Sequence, residues 1–109
     1  MKDRFTYQVL GNQTWDRNDD NIDVEIELAT GGRFSATFFT LRNIKSLFEK
    51  NRATGECASG LYLWSLNMIL VENLESHTIE RTIASLIDQD ELASACFRCP
   101  SSVSWPSGD

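Results

Sequence analysis

Histidine is nearly absent from this chain: His77 is the single one in 109 residues. A nucleophile–histidine–acid arrangement would have to be built on it, and no Ser or Cys motif stands beside it. The patterns G-x-S-x-G, G-x-G-x-x-G and the Walker phosphate loop are also missing. The expectation is a protein without catalysis and without a cofactor. Long apolar runs are lacking too, and a membrane-spanning helix needs about 18 or more such residues. The opening MKDRFTYQVLG has charges but no apolar stretch behind them, so it does not read as a secretory signal. Cysteine is scarce, with three residues and no export signal, which suggests reduced thiols in a cytoplasm. Bases are outnumbered, ten against sixteen acids, for a net charge of −6. Proline occurs twice, both times within the last ten residues.

The acids are not spread evenly. Residues 16–27, DRNDDNIDVEIE, hold six acids and one base, and so carry five of the six net negative charges. Concentrated negative charge argues against binding nucleic acid or an anionic membrane, and for a basic partner or a cation.

Length indicates one domain, large enough to bury a core without disulfide or metal staples. Residues 4–10, RFTYQVL, are rich in β-formers and stop at the turn signal Gly11-Asn12. In IDVEIEL, Ile22, Val24, Ile26 and Leu28 alternate with Asp23, Glu25 and Glu27, the period-2 signature of a half-buried strand. Thr30-Gly31-Gly32 and then RFSATFFT predict a hairpin. A three-residue loop with Gly in the left-handed position collects Phe34, Ala36 and Phe38 on the face of Ile26 and Leu28. It leaves Ser35, Thr37 and Phe39 on the outer face with Asp23, Glu25 and Glu27.

Thr40 is a suitable N-cap for a helix over 41–53, with Leu41, Ile44, Leu47 and Phe48 as its apolar stripe and Gly55 as its stop. LYLWSLNMILVENL is too apolar for an amphipathic helix. It reads as two strands, Leu61–Trp64 and Met68–Glu72, in the interior of a sheet. A second helix capped by Ser76 or Thr78 follows, with Ile79, Ile83, Leu86 and Ile87 on one side and a break at 88–90. ELASACF suggests a short helical piece, and the tail over 100–109 suggests disorder. The order β-β-β-α-β-β-α predicts an α+β domain over 1–99: a mainly antiparallel sheet of about five strands with two helices.

Three constellations carry possible chemistry. The first is a calcium loop. Asp16, Asn18, Asp20 and Glu27 fall on ligand positions of D-x-[DN]-x-[DN]-G-x5-E. Strand rise separates Asp20 from Glu27 by about 23 Å, too far to close a cage around one ion. The second is Cys57, His77, Cys96 and Cys99, which match in number a Cys3His zinc site. The competing reading is two small buried thiols and an exposed histidine. The third is the acidic hairpin face. Asp23, Glu25 and Glu27 form a row, Asp16, Asp19 and Asp20 stand beside it, and Phe39 or Trp15 would serve as an apolar anchor. Like charges on a sheet cost stability, and a basic partner would neutralise them. A plain solvated face is the competing reading.

An Asp-rich lead into a strand, then SATFFT, TGECASGLYLW and MILVENL, resembles over about residues 5–97 the immunity proteins of bacterial contact-dependent growth inhibition and related polymorphic toxin systems. The resemblance implies a protein that binds and neutralises one cognate toxin domain, often a nuclease, with no activity of its own. It carries over no individual residue, and it does not extend to CFRCPSSVSWPSGD.

Overall fold

The computed structural model describes residues 4–11 and 14–100. Strands β1 (Phe5–Val9), β2 (Asn21–Leu28) and β3 (Gly32–Thr40) form an antiparallel meander. The β2–β3 loop has three residues, with Gly31 at φ 101°. Ile26 therefore pairs with Phe34 and Glu25 with Ser35, the register predicted from the apolar alternation.

Helix α1 (Leu41–Thr54) begins where Thr40 Oγ1 accepts the Asn43 N–H at 3.1 Å, and it ends at Gly55 in the left-handed region. Its stripe is only half-buried: Leu41 is 67% exposed, and Asn51 is the helix's one buried residue. A short left-handed turn, α2 (Glu56–Gly60), follows. Gly60 has φ 81°, and a Cβ there would meet the Phe48 carbonyl oxygen at 2.9 Å, so only glycine fits this approach to α1.

Strand β4 (Met68–Val71) runs parallel to β3, an arrangement made possible by the helical crossover between them. Helix α3 (Ser76–Asp88) buries Ile79, Ile83 and Ile87. Neither Ser76 nor Thr78 caps it by the predicted route. Asn73 Oδ1 accepts instead from the Glu75 N–H at 3.0 Å and from Thr78 Oγ1 at 2.7 Å. Helix α4 (Leu92–Ala95) and strand β5 (Phe97–Cys99) complete the described chain.

The α+β class and the mainly antiparallel five-stranded sheet are as expected, but one predicted strand is not there. Leu61–Trp64 lies outside the sheet, and the fifth strand is β5. The reason is a shared edge. Strand β4 occupies β3 residues 37–40 and β5 occupies 33–35, so the two stand end to end along one side of β3. Strand β4 is also not interior: Leu70 is 53% exposed. The tail from 101 onward lies outside the described residues.

The core fills the inner face. Val9, Ile22, Val24, Ile26, Phe34 and Phe38 pack with Val71, Leu74, the α3 isoleucines, Leu92 and Cys96. Each such side chain contributes about 1.5–3 kcal/mol. This leaves the opposite face of the sheet to be accounted for.

Candidate protein-binding face

Strand alternation and register order the outer face into cross-strand rows. One row is Gln8, Glu25, Ser35 and Phe97; the next is Asp23, Thr37 and Met68, with Leu10 beside Asp23 through its N–H to the Asp23 carbonyl at 2.9 Å. Toward the hairpin come Thr6, Glu27, Arg33 and Cys99; at the other end come Asn21, Phe39 and Leu70.

Asp23, Glu25 and Glu27 lie in a row, as the alternation predicts. Asp23 and Glu27 are exposed and Glu25 is half-buried. Their bonded neighbours are neutral: Thr37 Oγ1 donates to Asp23 Oδ1 at 2.7 Å, and Gln8 Nε2 to Glu25 Oε1 at 3.1 Å. Arg33 is opposite Glu27. The charge least compensated by nearby bases is therefore that of Asp23 and Glu25.

The loop acids belong to a different structure. Asp16 Oδ1 accepts the N–H groups of Asn18 and Asp19, and Asp20 accepts those of Asp16 and Asn21, so both carboxylates are turned inward as loop acceptors. Asp19 takes Asn43 Nδ2 and Ser46 Oγ, each at 3.4 Å. Helix α1 has no acid in its own first turn. Asp19 supplies one from the loop, next to the positive end of the helix dipole. Asp19→Ala should cost about 1 kcal/mol of stability, read as a lower urea midpoint at unchanged slope; no change would show these bonds to be idle.

Neither predicted anchor is available. Phe39 is 5% exposed, in the row whose Asn21 bonds Asn43 of α1 at 2.9 Å. Trp15 packs against the core, donates Nε1–H to the Leu74 carbonyl at 3.0 Å, and carries the Arg17 guanidinium 4.3 Å from its ring centroid. Both hold the fold.

The apolar residues that do reach the surface near the acids escaped the sequence reading. Leu10, Leu66 and Phe97 are 43%, 69% and 49% exposed. Together with Asp23, Ser35 and Thr37 they line a groove of about 340 Å3 on the outer face. Leu66 ends the exposed stretch that also contains Leu61 and Trp64. The alternation of β1 could have placed Leu10 on this face. Nothing local signals Phe97, which arrives by pairing with Ser35, 62 positions earlier in the chain.

The zinc alternative fails on geometry. Cys57 lies on α2, His77 on α3, Cys96 after α4 and Cys99 on β5. Among the described residues no three His, Cys, Asp or Glu side chains come together as a metal site. This applies to the calcium loop as well. Cys96 is 3% exposed, and burial pushes its thiol up to about 11. At pH 8 its thiolate fraction is on the order of one in a thousand, against roughly one in four for an ordinary thiol. Disulfide-reagent titration of the folded protein should therefore show Cys96 reacting at least a hundredfold more slowly than in denaturant, and equal rates would contradict its burial.

Compared with protein-family models, curated proteins and solved structures, the chain matches none. Among the described residues, no helix is long and apolar enough to cross a membrane.

Proposed function

We propose that this chain is a non-catalytic, cytoplasmic protein-binding domain of the immunity type, which neutralises a basic, nuclease-type toxin domain by docking it on the outer sheet face. The observation that carries the reading is the juxtaposition of Asp23 and Glu25, hydrogen-bonded among the described residues to the neutral Thr37 and Gln8, with the exposed Leu10, Leu66 and Phe97. Acids of this kind attract and orient a basic partner, and desolvated apolar residues hold it. The loop acids Asp16, Asp19 and Asp20 lend long-range attraction while their side chains serve the fold.

The experiment is co-expression with the product of the adjacent reading frame. Growth protection by the wild-type chain, lost in D23K/E25K/E27K, is the expected result. A neighbour that is not toxic removes the immunity reading, and full protection by the triple variant removes the acidic face.

A further inference from the structure

We infer that the outer-face groove is a slot for one arginine side chain of the partner. This deepens the protein-binding reading and rests on it.

The chemistry of the slot is asymmetric. Among the described residues, Asp23 is its one charged lining residue, and no lysine or arginine lines it. Thr37 Oγ1 donates to Asp23 Oδ1 at 2.7 Å, which holds the carboxylate by one oxygen. Ser35 adds a hydroxyl beside it. Leu66 and Phe97 form an apolar rim on one side and Leu10 lies against Asp23 on the other, all three exposed.

A ligand that satisfies this surface needs a cationic head to meet Asp23 and an apolar stem to cover the rim. A free metal ion would leave the rim bare, and an apolar side chain would strip water from Asp23 without replacing its hydrogen bonds. Lysine and arginine both have the required form. Arginine fits better. Its planar head stacks on an aromatic ring such as Phe97 while its N–H fork reaches several oxygens at once, and it is more weakly hydrated than an ammonium. The groove volume of about 340 Å3 accommodates a single long side chain. The other two acids of the row do not line the groove: Glu27 has Arg33 opposite, and Glu25 accepts from Gln8 Nε2.

The test uses tetra-arginine and tetra-lysine peptides, titrated into the isotope-labelled chain and followed by backbone amide shifts. Tetra-arginine should move the amides of Asp23, Ser35, Thr37, Leu66 and Phe97 before others. Affinity should fall on the order of tenfold in D23N, severalfold in L66S/F97S, and severalfold with tetra-lysine in the wild-type chain. Retained amide dispersion in each variant shows that the fold survives, as the exposed positions of Leu66 and Phe97 allow. Shifts spread evenly over the chain's other acids, no shifts, or affinity unaffected by D23N overturn the slot. Affinity unaffected by L66S/F97S, or equal affinity for tetra-lysine, overturns the arginine assignment. If the slot fails while D23K/E25K/E27K still abolishes protection, the acidic face stands as a broader docking surface. If the slot holds while that variant still protects, docking of the toxin on this face falls instead.

Discussion

D23K/E25K/E27K should lose at least a hundredfold in partner affinity while remaining folded. The three reversals raise the net charge from −6 to zero and turn the outer face basic. Attraction to a basic partner becomes repulsion, and like-charge contacts across an interface cost several kcal/mol, against about 2.7 kcal/mol for a hundredfold change. The fold should survive because Asp23 and Glu27 are exposed and Glu25 is half-buried. The losses are the bonds to Thr37 and Gln8, about 1 kcal/mol each, and a new like-charge pair with Arg33. Calorimetry with the partner and a thermal melt of the free variant measure the two sides separately. In the wild-type complex the association rate should fall steeply as salt rises from about 0.05 to 0.5 M, since screening shortens the reach of exposed charges. A flat salt dependence, or unchanged affinity in the variant, would mean that binding uses another face.

Phe39→Ala should destabilise the chain by about 3–5 kcal/mol, the usual cost of emptying a buried phenylalanine site. Total stability for a domain is about 5–15 kcal/mol, so the variant sits close to the threshold for folding. If Phe39 were an exposed anchor, as the alternation alone implies, the same change would leave stability untouched and weaken only binding. Urea unfolding distinguishes the two outcomes directly. The contrast is with L66S/F97S, where two large apolar residues are removed from the surface: its unfolding midpoint should stay near the wild-type value. A stable Phe39→Ala protein would contradict the burial of this ring.

These expectations show where a period-2 pattern is informative and where it stops. Alternation over Ile22–Leu28, with the Gly31-Gly32 turn, was enough to place every side chain of the hairpin on its correct face. The α3 stripe Ile79, Ile83 and Ile87 was equally plain, because each isoleucine meets the same core from one side of a helix. A face, however, is not an exposure. Phe39 and Asp23 share the outer face, yet one is buried and the other open. At Phe39's end of the sheet, its row partner Asn21 is joined to Asn43 of α1. Trp15 was legible as an aromatic beside acids, but its hydrogen bond partner lies 59 residues away.

The segment Leu61–Trp64 misled for a related reason. Its apolar character suits a buried strand, and local propensity offers no ground for anything else. Burial depends on a free place in the sheet, and β4 and β5 already share the available edge of β3. The surplus apolar residues are left at the surface, with Leu66 beside the acidic strand.

By itself the sequence determined the α+β class, the hairpin register, the inner core face and the position of the acidic row. These follow from local periodicity and turn chemistry, which act between residues near one another in the chain. Only the tertiary structure decided that Phe39 is buried and Trp15 is packed against the core, that the Cys and His residues stand apart, and that Leu10, Leu66 and Phe97 border Asp23. Those outcomes depend on contacts between distant segments, where the space left by one element sets what another can bury.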